Sequence, residues 1–248
     1  MIPSWQNPEV TLAPSPKASD IDNAERFGIK LATSRDDSQW QLVRTPDRLQ
    51  LCAPQSLAGL AVDLDVLNGP LARRLRGARC DEPLPRACGV QRYQVGLRVV
   101  DATAGLCRDA MVLAALGCIV TAIERVPALA FLANDAAAAS WFHSKLTVVG
   151  GDAMAWMSQV DAAHRPDVVC LDPMFEQQGR AQVKKDMQLC RALVGPPVGE
   201  VELLRAALQV ARDRVVVKRD PAAAPLAPGV SFAIAGERVR FDVYLTAT

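Results

Sequence analysis

The sequence lacks the features that mark membrane, secreted and zinc-dependent proteins. No run of about 18 apolar residues is free of charges, so no membrane span is predicted. The first 20 residues show no basic segment followed by an apolar one, so we expect no secretion signal and a cytoplasmic protein. Only two histidines occur, His143 and His164, and no cysteine pair has C-x-x-C spacing, so we expect no bound metal.

Aromatic residues and paired cysteines are also scarce. Aromatics make up 5% of the 248 residues, whereas half of the chain is apolar, which favours the aliphatic core typical of α/β sheets. The 7 cysteines form an odd set, and Cys118 and Cys170 lie in apolar, strand-like runs. We therefore interpret them as reduced, buried thiols.

Positive charge is concentrated in one segment although the net charge is only +1. Residues 71–98 contain seven arginines, against Asp81 and Glu82. Such a local excess suits a surface that faces phosphate groups, and a solvated, partly flexible face is the alternative. The members of this cluster that we single out for phosphate contact are Arg73, Arg74, Arg76 and Arg79.

The chain divides by pattern into three segments. Residues 1–68 contain a loose lead-in rich in proline and serine and then two short strands around a turn at 45–47, which predicts a small β-containing unit. Residues 69–96 combine prolines and arginines with poor periodicity, which predicts a connector that is part helix and part loop. Residues 97–248 hold a regular alternation of strands and helices.

This alternation predicts the fold class. Buried strands are expected at 97–102, 118–124, 146–152, 167–172 and 214–219, with helices between them at 108–117, 127–142, 182–194 and 198–214. A hairpin with its turn near Gly236 ends the chain. The sequence therefore predicts an α/β fold with a doubly wound, mostly parallel sheet and a C-terminal antiparallel hairpin. Ligands bind such sheets at the carboxyl ends of the strands.

The first strand ends in the loop DATAGLCRDA, residues 101–110. Asp101 closes the strand, Gly105 keeps the loop small, and Arg108 and Asp109 open the next helix. The loop lacks the G-x-G-x-x-G pattern that carries a pyrophosphate, and it holds two carboxylates. That charge suits the sulfonium and ammonium groups of S-adenosylmethionine, and a tight strand-to-helix turn is the alternative.

Acidic residues also end the second and third strands. Glu124 lies 23 residues after Asp101, where a carboxylate is able to accept both hydroxyls of a ribose. Asp152 is placed to meet an adenine amino group, and a helix N-cap explains it equally well.

The fourth strand ends in DPMF, residues 172–175. The exocyclic amine of a nucleobase is a poor nucleophile, and two acceptors that grip its N–H groups hold it in position for attack. Asp172 and the carbonyl of Pro173 offer that pair, and Phe175 is able to stack on the base. A strand-end aspartate followed by a turn and a core phenylalanine is the alternative.

These motifs together resemble the RsmJ family of bacterial small-subunit ribosomal RNA guanine-N2 methyltransferases. The matching stretches lie between about 97 and 244 and include DATAGLCRDA, DVVCLDPMF and RVVVKR. The resemblance implies a class I S-adenosylmethionine-dependent methyltransferase fold, methyl transfer to N2 of a guanine, and ribosomal RNA or the assembled small subunit as partner. By motif it implies cofactor contacts at Arg108, Asp109, Glu124, Arg125, Asp152, Ala153 and Asp172.

Lysines and arginines outside the cluster add to the expected RNA surface. The further candidates for phosphate contact are Lys184, Lys185, Lys218 and Arg219. The chain departs from the family pattern at Cys107, where glycine is usual, and in the glycine content of residues 71–89. We expect a monomer or a weak dimer.

Three other functions remain open on the sequence. The chain could methylate another planar nitrogen, in a protein amide or a small amine, since the D-P-x-F chemistry suits both. It could be a non-catalytic RNA-binding relative of the family. The third alternative is an NAD-dependent oxidoreductase. It would need a glycine-rich phosphate loop, which the sequence does not show.

Overall fold

The structure is a computed structural model that describes residues 8–92, 96–173, 185–195 and 199–246. The strands are β1 (Val10–Leu12), β2 (Lys30–Leu31), β3 (Trp40–Arg44), β4 (Leu49–Cys52), β5 (Ala61–Asp63), β6 (Arg98–Asp101), β7 (Ile119–Glu124), β8 (Leu146–Gly150), β9 (Val168–Leu171), β10 (Arg214–Arg219), β11 (Phe232–Ala235) and β12 (Arg240–Leu245). The helices are α1 (Ala18–Phe27), α2 (Gly69–Arg76), α3 (Pro83–Cys88), α4 (Arg108–Ala115), α5 (Pro127–Ala139), α6 (Ala153–Met157), α7 (Lys185–Val194) and α8 (Glu200–Val210).

A seven-stranded sheet forms the centre of the larger part of the chain. Its order is β11-β12-β10-β9-β6-β7-β8, and the five strands from β10 to β8 are parallel. β12 pairs antiparallel with β10 and with β11, so the C-terminal hairpin closes one edge. The sheet turns back at β6, next to β9, and this is the switch point at which such folds bind ligands.

The two faces of the sheet pack against different helices, because successive side chains of a strand alternate in direction. Val99 and Val216 belong to a core shared with α4 and α5, and α2 and α3 lie on the same side. Val100 and Val217 belong to a second core shared with α6 and α8. The central strands β6, β9 and β10 are buried on both faces, as parallel strands of this fold class are.

Helix ends follow the local sequence. Pro127 occupies the first turn of α5, where its missing N–H costs nothing, and Gly117 follows α4 with a φ of 95°. The predicted helix over 127–142 ends earlier, at Ala139, because Ser140 is extended. No helix in the described ranges is long and apolar enough to cross a membrane.

The N-terminal residues form a second sheet, with the order β2-β1-β3-β4-β5. β3 and β4 pair antiparallel around the predicted turn at 45–47. The expectation of a loose lead-in over residues 1–20 is wrong from Val10 onward, since β1 runs parallel to both β2 and β3 and α1 begins at Ala18. Long-range pairing orders this segment, and its proline-rich local sequence does not reveal that pairing.

A buried ionic cluster and an aromatic pair join the N-terminal residues to the larger sheet. Arg44 at the end of β3 pairs with Asp20 of α1 and with Asp135 of α5, and the Asp20 side chain is fully buried. Phe27 stacks on Phe131 with ring centroids 6.0 Å apart. Arg26 donates a hydrogen bond to the carbonyl of Val148 in β8. These contacts fix α1 and β3 against α5.

Candidate active site

Four acidic side chains meet at the carboxyl ends of the parallel strands. Asp101 ends β6, Glu124 ends β7, and Asp172 directly follows β9, while Asp109 lies in the first turn of α4. Because β6, β7 and β9 are parallel, their carboxyl ends lie at the same edge of the sheet. The structure therefore brings together residues that are up to 71 positions apart in the sequence.

Lys218 links two of these carboxylates. Its Nζ lies 2.8 Å from Asp109 Oδ2 and 2.8 Å from Asp172 Oδ2. The Lys218 side chain is 25% exposed, and the side chains of Asp109 and Asp172 are 41% and 45% exposed. Three elements, α4, β9 and β10, are thus connected by one ammonium group at the floor of the site.

Asp101 lies beneath this ionic group and is almost fully buried. Burial and the nearby negative charges of Asp109 and Asp172 raise the pKa of Asp101 to about 7, and the Thr103 N–H and Lys218 oppose that rise. Burial and the Asp109 charge also raise the pKa of Asp172, against the opposing effect of Lys218. The site therefore carries more negative charge than its own lysine compensates.

Thr103 connects the carboxyl end of β6 to that of β9, and the sequence did not reveal this role. Its Oγ1 accepts a hydrogen bond of 2.6 Å from the backbone N–H of Asp172, and its own N–H donates to Asp101 Oδ1 at 3.3 Å. The threonine hydroxyl thus fixes the backbone at the point where β9 delivers Asp172. The only signal in the sequence is a hydroxyl residue between the small residues of the loop.

Glu124 holds the loop at the first tip. Its Oε2 accepts a hydrogen bond from the Gly105 N–H at 2.6 Å, and its Oε1 accepts one from the Val126 N–H at 2.7 Å. Burial raises the pKa of Glu124, and the two backbone N–H groups oppose that shift. Each oxygen keeps a second lone pair, so the ribose contact expected for Glu124 stays a prediction.

Cys107 adopts a backbone conformation that favours glycine. Its φ is 54°, in the left-handed region, and its side chain is buried in the core beneath the loop. A residue with a side chain pays roughly 1–2 kcal/mol for that conformation. This explains why glycine suits the position, and it shows that the thiol of this chain points into the core.

Asp152 caps a helix, as one of its two sequence interpretations predicted. Its Oδ1 accepts the N–H of Ala155 at 2.8 Å, and Ala153 follows it, buried, as the first residue of α6. Arg125 is exposed and donates to the carbonyl of Val194 at 2.7 Å. The contacts of Asp152, Ala153 and Arg125 with a cofactor stay predictions, as does that of the exposed Arg108.

Part of the predicted substrate pocket lies outside the described residues. Pro173 is described and buried, whereas Phe175 and Lys184 are not among the described residues. Lys185 begins α7, but its side chain is likewise outside the described part.

Two of the residues expected to contact RNA have other roles in the structure. Lys218 pairs with the carboxylates of Asp109 and Asp172. Arg219 is buried and donates to the carbonyl of Ala224 at 3.0 Å. Both side chains at the end of β10 thus have partners within the protein, and their contact with phosphate stays a prediction.

The arginines of residues 73–79 lie on the surface. Arg74 pairs with Glu82 and Arg79 with Asp81, and both ion pairs are exposed. Arg73 is exposed on α2, and the guanidinium of Arg76 lies over the ring of Trp141, 5.7 Å from its centroid. Trp141 itself is 48% exposed.

Chemically the strand tips suit a cationic ligand. Three carboxylates, those of Asp101, Asp109 and Asp172, surround one ammonium group, and a sulfonium or an ammonium would balance the excess negative charge. Among the described residues, no group of three His, Cys, Asp or Glu side chains is arranged to hold a metal ion.

Comparison with known proteins agrees with this chemistry. A family model described as "Putative SAM-dependent methyltransferase" matches residues 23–246. A ribosomal RNA small subunit methyltransferase J from Thioalkalivibrio sulfidiphilus is 44% identical over 209 residues, which are 80% of each chain. The chain belongs to this family. The enzyme of the same name from Escherichia coli is 38% identical over 89% of this chain and 90% of its own.

A solved structure supports the fold. The crystal structure of a SAM-dependent methyltransferase from Neisseria gonorrhoeae superposes with a TM-score of 0.71 at 29% identity, and 95% of each chain is covered. The predicted α/β methyltransferase fold and the family resemblance are thereby confirmed. The protein is an S-adenosylmethionine-dependent methyltransferase, and S-adenosylmethionine is its cofactor.

Proposed function

We propose that the protein transfers a methyl group from S-adenosylmethionine to the exocyclic N2 of a guanine in small-subunit ribosomal RNA. The observation that carries the proposal is the placement of Asp172 and Pro173 at the carboxyl end of β9, joined through Lys218 to Asp109 in the loop that follows β6. The relatives named as small-subunit ribosomal RNA methyltransferases support the choice of RNA.

The cofactor is assigned to the loop after β6 and the tips of β7 and β8. Asp101 and Asp109 supply negative charge, Gly105 lets the ligand lie against the backbone, and Glu124 and Asp152 are assigned to the ribose and the adenine. We assign supporting contacts to the residues adjoining these positions, namely Arg108, Arg125 and Ala153. Bound S-adenosylmethionine supplies a methyl group on a positively charged sulfur, which makes that carbon an electrophile.

Asp172 and Pro173 are assigned to the amine of the guanine. The N–H groups of N2 donate to Asp172 Oδ1 and to the Pro173 carbonyl, so that the nitrogen lone pair points at the methyl carbon. Formation of the N–C bond would break the bond between the methyl carbon and sulfur and leave its electron pair on sulfur, and the amine proton, made acidic by methylation, would pass to Asp172 beside it. Phe175 is assigned to stack on the base, which must leave its own stack to enter the site.

The RNA surface is assigned to α2. Arg73, Arg74, Arg76 and Arg79 are exposed, and the two ion pairs made by Arg74 and Arg79 are weak enough to exchange for phosphate. Trp141 offers an exposed ring beside Arg76. Trp141 follows α5, which runs back from the carboxyl edge of the sheet, so RNA bound there would extend along the side of the domain from the active site. Such a span favours a large, folded RNA over a short strand.

Methyl transfer to RNA tests the proposed function directly. We expect the purified protein to transfer labelled methyl from S-adenosylmethionine to small subunits, or to their RNA, taken from cells that lack this gene. Digestion to nucleosides should yield N2-methylguanosine. Label in another nucleoside would overturn the choice of base, and label in protein alone would favour the alternative of a protein amide.

Neutralising arginines of α2 tests the RNA surface. In the variant Arg73→Gln/Arg76→Gln we expect weaker RNA binding. The slope of log affinity against log salt concentration should also become shallower, by about one for each phosphate that is no longer neutralised. Arg205→Gln is the matched control, because Arg205 is exposed on α8 across the sheet. An unchanged salt slope in the double variant would show that α2 does not face RNA.

A further inference from the structure

Lys218 is the cation at the centre of the site and has a role that phosphate contact does not explain. Its backbone is fixed in β10, where it lies opposite Phe241 of β12. Its ammonium makes two hydrogen bonds of 2.8 Å, to Asp109 Oδ2 and to Asp172 Oδ2. Both carboxylates belong to residues assigned to ligands, one in the cofactor loop and one at the reacting amine.

The contact with Lys218 involves only one of the two carboxylate oxygens of Asp172. Oδ2 accepts from Lys218, and among the described residues nothing donates to Oδ1. The backbone N–H of Asp172 is held by Thr103 Oγ1, so both ends of the residue are restrained. In the proposed mechanism Oδ1 is the oxygen assigned to a substrate N–H.

An ionised carboxylate is a stronger acceptor for that N–H than the neutral acid, and only the ionised form is able to take up the amine proton. The charged and titratable side chains that act on Asp172 from the surrounding described elements are Asp109 of α4, Asp101 of β6 and Lys218 of β10. Burial and the carboxylate of Asp109 raise the pKa of Asp172 and favour its protonated form, whereas Lys218 favours its ionised form.

We propose that Lys218 is a positioning residue of the methyl-transfer site, which keeps Asp172 ionised and turned toward the amine and ties it to Asp109 in the cofactor loop. The inference rests on the proposed function. Lys218 itself touches neither substrate nor cofactor in this assignment, and it acts through the two carboxylates.

The test compares Lys218→Met with Lys218→Arg across pH. In Lys218→Met we expect kcat to fall at least about tenfold near pH 7, and the acid limb of the pH–rate profile to move up by about one pH unit or more. KM for RNA should stay within about twofold, because phosphate contacts are untouched. Lys218→Arg keeps the charge and should return the acid limb close to its wild-type position.

Lys30→Met is the matched control. Lys30 is also an ion-paired lysine, but its side chain is exposed at the edge of the N-terminal sheet. We expect its pH–rate profile to equal that of the wild type. A uniform loss of rate in Lys218→Met at every pH, with an unmoved acid limb, would overturn the positioning role. A raised KM with unchanged kcat would overturn it in favour of phosphate binding.

A second measurement separates this inference from the proposed function. The carboxyl carbons of labelled aspartates are titrated by NMR, with Asp172→Asn used to assign the Asp172 signal. We expect a higher pKa for Asp172 in Lys218→Met than in the wild type. If the pKa of Asp172 rises but the protein methylates no guanine, the effect of Lys218 on Asp172 is supported and the proposed function is refuted. Methylation by the wild type with no rise would refute the role of Lys218.

Discussion

Asp172→Asn should lower kcat for methyl transfer by about 10²- to 10³-fold while the protein stays folded. The amide keeps the size of the side chain but removes the negative charge, so it no longer pairs with Lys218 or accepts the amine proton. Asp172→Ala removes the acceptor altogether and should abolish transfer. Single-turnover rates with labelled S-adenosylmethionine measure the effect, and thermal melting checks the fold.

Asp22→Asn makes the same chemical change at an exposed position of α1. It should leave the rate at the wild-type value. Full activity in Asp172→Asn or Asp172→Ala would remove Asp172 from the reaction and would leave the amine without its assigned acceptor. The proposed mechanism would then be wrong even if the RNA substrate were right.

Arg44→Met should destabilise the protein by about 3–5 kcal/mol. It leaves the carboxylate of Asp20 fully buried without its ion-pair partner. For a chain of this length such a loss lowers the melting temperature by roughly 10 °C. Denaturant unfolding and thermal melting measure the change.

The effect of Arg44→Met should depend on pH. Burial is the largest single effect and favours the protonated form of Asp20, but the hydrogen bond from Arg44, the hydrogen bond from the Lys17 backbone N–H and the positive charges of Arg44 and Lys17 together lower the pKa of Asp20 in the folded protein. The stability that comes from this pairing is present above the unfolded pKa of about 3.9 and is lost as the pH falls through the lower folded pKa. The stability difference between wild type and variant should therefore shrink below about pH 4.

Arg48→Met provides the comparison within the same hairpin. Arg48 pairs with Asp63 and Asp65 but is a third exposed, so its loss should cost no more than about 1 kcal/mol. The double variant Arg44→Met/Asp20→Leu should recover part of the stability, because it removes both buried charges. Equal effects of Arg44→Met and Arg48→Met would show that burial of the Arg44 cluster does not matter for stability.

The strands and the acidic tips could be predicted because their signals are local. Buried runs such as RVVVKR and CIVTAIE have the length and composition of parallel strands, and Gly117 and Pro127 mark helix boundaries. The fold class follows from the alternation of these segments. Asp101, Glu124 and Asp172 could be assigned to one site because parallel strands end at the same edge.

The pairing that orders the N-terminal segment could not be predicted in the same way. β1 has only three residues, and its pairing partners Lys30 and Trp40 are distant in the sequence. The role of Lys218 was hidden for a related reason, because a lysine near the end of a strand resembles a surface charge. Its place two residues after Val216, which faces the α4 side of the sheet, was the available signal.

The sequence by itself determined the fold class, the family and the set of carboxylates at the strand tips, because each depends on short patterns of residues. Only the tertiary structure decided which of those groups touch. Lys218 pairs with Asp109, 109 positions away, and with Asp172, 46 positions away. The hydrogen bond from the backbone N–H of Asp172 to Thr103 joins the ends of two strands. Such contacts depend on strand order and on the face that each side chain occupies, and these are set by packing of the whole sheet.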